Sequence, residues 1–321
     1  MIVVTGGAGF IGSCFVKTLN DRRRFDVLVV DTLKHSVKWK NLVGKKFIDF
    51  VNKHDFIEQL LSGDYGAEIE AIVHLGACSA TTETDGDYLL ENNYRYSMNL
   101  ADYCYQRNIR FVYASSAATY GAGDQGYSDR VFEELKPLNM YGYSKHLFDQ
   151  WILHQGLEHK VVGLKFFNVF GPNEYHKGEM ASVVYKAYRQ ILETDKLRLF
   201  KSYHPDYADG EFKRDFVYIK DVCEVLWNCL QLGEVSGIYN VGTGIARSWN
   251  DLAHAVFRAM GRESHIEYVD MPEHIRSQYQ YFTEADMTKM QETRAYVAPQ
   301  TLEESVRDYV QGYLAKQYCH F

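Results

Sequence analysis

Proline is scarce in this chain, with 5 among 321 residues, and no low-complexity tract interrupts it. That argues against a long disordered linker. No apolar run reaches the ~20 residues that cross a bilayer, so no membrane partner is expected. Residue 2 already opens a core-type strand, with no signal-peptide pattern ahead of it. The six cysteines, Cys14, Cys78, Cys104, Cys223, Cys229 and Cys319, form no C-x-x-C pair. They read as reduced, mostly buried thiols of a cytoplasmic protein. Excess positive charge is also missing: the net charge is −7, with no basic stripe. Nucleic acid is therefore not an expected partner, and an anionic ligand has to be held by local lysines, arginines and helix ends. No metal site is expected, because His74 has no metal-type partner at i+4 and reads as a packed or loop residue. Aromatic residues, by contrast, are plentiful, with 25 Tyr and 18 Phe. Tyrosine has an apolar face and a polar end, so some of these should line sites. The length suits two domains, or one large domain with an inserted lobe.

The most informative stretch is the first. Ile2-Val3-Val4 is a short β-branched run, followed at once by Thr5-Gly6-Gly7-Ala8-Gly9-Phe10-Ile11-Gly12 and then by a helical pattern through Phe15, Val16 and Leu19. Gly6, Gly9 and Gly12 form G-x-x-G-x-x-G. The first glycine turns the chain, the second admits backbone N–H groups to a pyrophosphate, and the third lets helix pack on strand. A plain loop is the competing reading; the position between strand and helix favours a nucleotide site, with the helix N-terminus supplying donors. Phe25–Asp31 reads as the second strand. Its terminal Asp31, 19 residues past Gly12, stands where an acid commonly holds the adenosine ribose. An acid favours NAD over NADP, whereas Lys34, Lys38 and Lys40 close behind can reach a 2′-phosphate.

Further strands are expected at Lys45–Phe50, Glu68–Leu75, Arg110–Ala114 and Val161–Phe167, alternating with helices. This pattern implies a doubly wound parallel sheet with ligands beyond the carboxyl ends of the strands. The helix from about Asp85 carries Tyr88, Leu89, Asn92, Tyr96, Leu100 and Tyr103 at helical spacing, a stripe read as core. The fifth strand ends in Ser115-Ser116, where chemistry belongs. Tyr141 and Lys145 then sit at i and i+4 on one helix face. A protonated Lys145 beside the phenol is expected to lower its pKa below about 10, so that Tyr141 can exchange a proton with an alcohol or ketone. A surface helix pair is the bland alternative, and the upstream Ser116 and glycine turn weigh against it.

These features together resemble the extended short-chain dehydrogenase/reductase family, which acts mostly on nucleotide sugars, and the resemblance runs nearly the whole chain. It implies a Ser116/Tyr141/Lys145 catalytic set. The segments Tyr113–Gly121, Tyr141–Lys145, Asn168–Gly171, His176-Lys177-Gly178 and Lys213–Val217 are more similar to the family's ADP-heptose 6-epimerase branch than to its UDP-galactose 4-epimerases. That likeness implies inversion at C6 of an ADP-linked heptose, a precursor of the lipopolysaccharide inner core, through tightly bound NADP, with NAD the second choice. By resemblance, cofactor contacts are expected from Gly6, Gly9, Phe10, Ile11, Gly12, Asp31, Thr32, Lys38, Lys53, Leu75, Gly76, Ala77, Cys78, Ser79, Asn92, Tyr141, Lys145, Val169 and Lys177. Substrate contacts are expected from Ser116, Asn168, Glu179, Lys186, Phe200, Lys201, Ser202, Tyr203, Arg214 and Tyr279. Thr32, Glu179 and Lys186 depart from the branch's usual Asn, Ser and His, and Glu179 near a diphosphate is electrostatically odd.

Lys177 is assigned as the second proton carrier. The competing role is to hold cofactor or phosphate. Arg214 is assigned to a sugar-nucleotide diphosphate as a planar fork, against an ion pair with Asp215 or Asp221. The expected division is a cofactor domain of residues 1–167 with about 213–242 and 281–292, and a substrate domain of 168–212 with about 243–280 and 293–321. A homo-oligomer is expected. The rival functions are a UDP-hexose 4-epimerase and a non-catalytic NAD(P) sensor. A 4,6-dehydratase is disfavoured because Ala117-Ala118-Thr119 stands where its Asp-Glu pair would be.

Overall fold

The computed structural model describes residues 1–276 and 279–321. The strands are β1 (Ile2–Thr5), β2 (Val27–Asp31), β3 (Asp49–Asn52), β4 (Ala71–His74), β5 (Arg110–Ser116), β6 (Val161–Phe166), β7 (Asn168–Phe170), β8 (Leu197–Phe200), β9 (Lys213–Tyr218), β10 (Gly237–Val241), β11 (Ala246–Ser248) and β12 (Ile266–Val269). Seven of them make one parallel sheet in the order β10-β6-β5-β4-β1-β2-β3. Period-two alternation divides their side chains between two cores. Val3, Val30, Ile72, Phe111 and Tyr113 face the helices Lys53–Ser62 and Met140–His154. Ile2, Val4, Val29, Val73 and Val112 face the helices Phe10–Asp21 and Ile219–Gln231.

Of the later segments, β10 joins the large sheet, while β9 lies between β11 and β7 in a three-stranded sheet. β8 and β12 pair separately. A capping box opens the helix Trp249–Ala259: Ser248 Oγ accepts from Asp251 N at 3.0 Å, and Asp251 Oδ2 accepts from Ser248 N at 3.1 Å. Two expectations fail. The third strand is Asp49–Asn52 rather than Lys45–Phe50; it pairs β2 in the register Leu28↔Asp49. As the edge of the sheet it is nowhere fully buried, so it lacks the hydrophobic signature that locates the inner strands. Tyr88, read as core, is 42% exposed, because a π turn at Leu90–Arg95 breaks the helical period of residues 86–106. Among the described residues, no helix is long and apolar enough to cross a membrane.

Candidate active site

The sheet order reverses between β1 and β4, and the crevice opens beyond their carboxyl ends, as open α/β sheets dictate. Gly6 leaves β1 at φ +66°, and a Cβ there would stand 2.6 Å from Gly76 N, so the turns after β1 and β4 meet backbone to backbone. A Cβ on Gly12 would lie 2.2 Å from Gly6 O. Helix and turn therefore touch with no side chain between them. Gly9 caps the Phe10–Asp21 helix without a side-chain hydrogen bond, leaving the first-turn N–H groups open to an anion. His74 braces this junction. Ser97 donates to Asn93 O at 2.6 Å, so it accepts from His74 Nε2 (2.8 Å), and His74 Nδ1 accepts from Thr5 Oγ1 (2.6 Å). Burial pushes the ring down to about 3, so it is neutral and structural.

At the end of β2, Asp31 accepts from Ala8 N (2.9 Å), Thr32 N (2.7 Å) and Lys38 Nζ (2.6 Å). The carboxylate thus fastens the glycine turn and is already paired with a cation. Thr32 Oγ1 is buried in the same wall without a partner. Lys53 and Asn92 do not line the crevice: Lys53 Nζ donates to Asn92 Oδ1. The Lys53 pKa is lowered, mainly by burial and next by Lys34.

Asn139 caps the Met140–His154 helix through Gly142 N (2.8 Å), and a Cβ on Gly142 would stand 2.7 Å from Ala118 O. That close approach sets Tyr141 against the end of β5. Ser116 Oγ accepts from Ala118 N at 3.1 Å, which leaves its proton free for the Tyr141 oxygen. Burial raises the Tyr141 pKa, and the Ser116 hydrogen bond opposes the rise. The expected lowering by Lys145 is not found. Lys145 Nζ donates instead to Ala114 O at 2.9 Å, and burial pushes Lys145 itself down to about 8.

Lys177 enters from the turn Tyr175–Met180 after β7, with its ammonium 5.6 Å from the Phe10 ring centroid. Burial lowers its pKa and Glu174 opposes; burial, rather than neighbouring cations, is the cause. This turn is stitched to the glycine loop. Asn41 Nδ2 donates to Ala8 O (3.0 Å) and Asn173 O (3.1 Å), and Asn173 Nδ2 donates to Ser13 Oγ (3.0 Å). His176 is pushed down to about 4, chiefly by burial and then by Lys38 and Lys177.

These walls enclose a crevice of about 760 Å³ lined by the three loop glycines, Phe10, Ile11, Asp31, Thr32, Lys38, Leu75–Ser79, Ser116, Tyr141, Lys145, Asn168, Val169 and Lys177. The other predicted residues fall outside its lining. Glu179, whose side chain is fully exposed, pairs with Lys186 at 3.5 Å. The two departures from the branch pattern thus neutralise one another. Arg214 is buried and pairs with no carboxylate among the described residues, so its ion-pair reading fails. Asp215 accepts from Thr243 N (2.7 Å), Gly244 N (2.9 Å) and Ala285 N (3.1 Å), and Asp221 from Gln300 N (3.0 Å). The guanidinium lies 5.5 Å from the Tyr279 ring and 6.0 Å from that of Trp249, which lines the crevice. Tyr279 packs on Phe200 and Phe212 at 6.4 and 5.5 Å. Lys201 and Tyr203 both reach Asp270, at 3.2 and 3.0 Å, and Ser202 N donates to Asp209 Oδ1 at 2.7 Å.

Comparison with known proteins accounts for this arrangement. Residues 2–242 match the model of the NAD dependent epimerase/dehydratase family. The chain belongs to the NAD-dependent epimerase/dehydratase family. A protein of Nitratidesulfovibrio vulgaris (strain DP4) named ADP-L-glycero-D-manno-heptose-6-epimerase is 55% identical over 317 residues, 98% of each chain. One of the same name from Fusobacterium nucleatum is 48% identical over 99% of each. The crystal structure of the Helicobacter pylori ADP-L-glycero-D-manno-heptose-6-epimerase superposes with a TM-score of 0.80 at 28% identity, covering 97% of this chain and 95% of the other.

Within this epimerase/dehydratase frame, the crevice gathers the predicted glycine turn, the Ser116/Tyr141/Lys145 set and Lys177, while Arg214 and Tyr279 form a neighbouring group. Three supporting residues escaped the sequence reading. Asn93, rather than Asn92, ties the Leu75–Ser79 turn to the Met140–His154 helix: its amide donates to Cys78 O (3.0 Å) and Ser144 Oγ (3.1 Å) and accepts from Cys78 N (2.9 Å). The π turn selects it, and no sequence signal shows that. Asn41 acts across 132 residues, beyond any local pattern. Asp149 continues the i, i+4 series of Tyr141 and Lys145, a spacing that was open to view.

Proposed function

We propose that this epimerase/dehydratase family member interconverts ADP-D-glycero-D-manno-heptose and ADP-L-glycero-D-manno-heptose by inverting C6, supplying the lipopolysaccharide inner core. The observation that carries the reading is that Tyr141 and Lys177 line one crevice from different elements. The names of relatives at 48–55% identity over nearly the whole chain support the substrate.

The residues present fit a dinucleotide. The glycine turn leaves N–H groups bare where a Cβ would collide, and Thr32 Oγ1 is an orphaned polar atom in the wall. When bound, a nicotinamide dinucleotide supplies the hydride acceptor and donor. We assign it as NADP. Asp31 is paired with Lys38, so it repels a 2′-phosphate less than a bare carboxylate would, and Lys34 lies near enough to help lower the Lys53 pKa. Phe10, Ile11, the Leu75–Ser79 turn, Lys145 and Val169 line the same crevice.

Tyr141 acts as the phenolate, its oxygen accepting the Ser116 hydrogen bond, and takes the proton of the C6 hydroxyl as that carbon is oxidised to a ketone. A ketone presenting its other face directs its oxygen away from a phenol fixed on a helix. Lys177, as the ammonium, protonates that oxygen as the carbon is reduced; exchange with solvent then returns Tyr141 to phenolate and Lys177 to ammonium, and the reverse direction exchanges the two roles. Arg214, a buried cation without a carboxylate, and the Phe200–Tyr279 aromatic group are assigned to the ADP moiety.

The test is to incubate purified protein with ADP-D-glycero-D-manno-heptose and with UDP- and dTDP-hexoses, resolve epimers by NMR, and identify the dinucleotide released on denaturation. Conversion of the heptose with NADP released is the expected result. Turnover of a UDP-hexose alone overturns the substrate, and release of NAD alone overturns the cofactor.

A further inference from the structure

Behind the catalytic helix face lies a charged pair that no step above uses. The side chains of Asp149 and Lys165 are both 0% exposed, and Lys165 Nζ lies 2.6 Å from Asp149 Oδ2. Removing one partner of such a pair strands the other charge, whereas replacing both with neutral groups costs little stability or even adds some. A stability role is thus a weak account of the pair, and its other bonds supply a better one. Asp149 Oδ1 accepts from Tyr113 OH (2.9 Å) and Oδ2 from Ser115 Oγ (2.7 Å), the residue next to Ser116. Lys165 also donates to Thr119 Oγ1 (2.8 Å), and Thr119 donates to Ser116 O (2.9 Å).

The fold makes room for this. In the register Ser115↔Lys165 both side chains leave the sheet on the same face. Gly163 has no Cβ, which would stand 2.5 Å from the Tyr113 ring. On the helix, Asp149 follows Lys145 by four residues, about 5–6 Å between Cβ atoms.

We propose that Asp149 and Lys165 form the positioning unit of this active site, placing a fixed negative charge one turn behind Lys145 and fixing Ser116 through Thr119. The inference rests on the reading of Tyr141 as a proton carrier. Asp149 is the foremost group that favours charged Lys145 against burial, with Cys78 second. The other titratable groups around these side chains are Tyr113, Tyr120, Tyr141, Cys78, His74 and His146, with Lys289 near Lys165. His74 is neutral, pushed down to about 3, and burial lowers the His146 pKa too. Asp149 is thus the carboxylate that acts on Lys145.

The experiment compares wild type, Asp149→Asn, the double variant Asp149→Asn/Lys165→Met, and Thr119→Val, all as holoenzyme. The readouts are the pH profile of kcat and dinucleotide occupancy. Asp149→Asn is expected to move the alkaline limb of kcat down by about one pH unit, the scale of one nearby opposite charge. The double variant has no stranded charge. It should fold, keep its dinucleotide and still show the displaced limb. A merely structural pair predicts that the double variant regains the wild-type profile, and that result overturns the proposal. Thr119→Val, isosteric and uncharged, should lower kcat about tenfold, the scale of a lost hydrogen bond, with KM and the pH profile unchanged. If the charge variants do not fold, a wild-type kcat in Thr119→Val overturns the proposal alone. Tyr141→Phe is run alongside. Full activity there would sink the parent reading, whereas inactive Tyr141→Phe with a wild-type double variant sinks only the positioning unit.

Discussion

Replacing Lys145 by Met should stabilise the dinucleotide-free protein at neutral pH while abolishing its turnover. The side chain is 4% exposed, and its pKa falls from 10.5 to about 8. At about 1.4 kcal/mol per pH unit, carrying the buried ammonium costs the folded state on the order of 3 kcal/mol. Below pH 8 both folded and unfolded Lys145 hold the proton, and the full cost applies. Between about 8 and 10.5 the unfolded chain holds more protons than the folded one, so wild-type stability rises with pH. Met matches the length of the stem and removes the charge, but loses the bond to Ala114 O, worth about 1 kcal/mol. The balance is a variant about 1–2 kcal/mol more stable than wild type at pH 7, with the advantage gone by about pH 10.5. Urea unfolding followed by tryptophan fluorescence at pH 7 and pH 10 measures both. A variant equally destabilised at the two pH values would refute the reasoning, because the buried charge would then cost nothing.

Tyr141→Phe should lose about 10²–10⁴-fold in turnover while the dinucleotide stays bound, measured by steady-state assay and absorbance of the purified protein; activity within tenfold of wild type removes the phenol from its role. Lys177→Met should keep the dinucleotide but lose epimerisation by orders of magnitude, while a single oxidation or reduction through Tyr141 survives better. Loss of the dinucleotide on purification would show Lys177 to be a binding residue instead. Gly12→Ala places a Cβ 2.2 Å from Gly6 O, a backbone atom that cannot swing aside. Overpacking of about 1–3 kcal/mol should lower the melting temperature and empty the cofactor site, and an unchanged melting temperature together with full occupancy would contradict the tight turn.

What the sequence made legible was local or periodic. Gly6, Gly9 and Gly12 announce their turn because strand, glycines and helix are contiguous. Tyr141 and Lys145 announce a shared face because helical spacing alone requires it. What stayed hidden depends on groups distant in sequence. Lys145 donates to Ala114 O, 31 residues upstream, a partner that helical spacing from Tyr141 does not show. The pairing of Glu179 with Lys186 relieves the oddity of an acid near the substrate, and only the turn from Tyr175 to the following helix shows the two together. The edge strand Asp49–Asn52 and the inward turn of Asn93 were missed for the same kind of reason. Neither an edge without burial nor an extra residue in a helical turn leaves a hydrophobic period to read.

The stitching of the Lys177 turn to the glycine loop through Asn41 and Asn173 decides what can travel during catalysis. A segment bolted to the cofactor wall cannot swing across to meet a substrate that stays still. Tyr141 is equally immobile, pressed against Ala118 by the missing side chain of Gly142. With both proposed proton carriers anchored to one frame, the proposed mechanism leaves the sugar itself as the migrating part. The oxidised end of the heptose has to pivot about its own chain bonds between two stationary partners, so the crevice must be roomy at that end and restrictive at the nucleotide end.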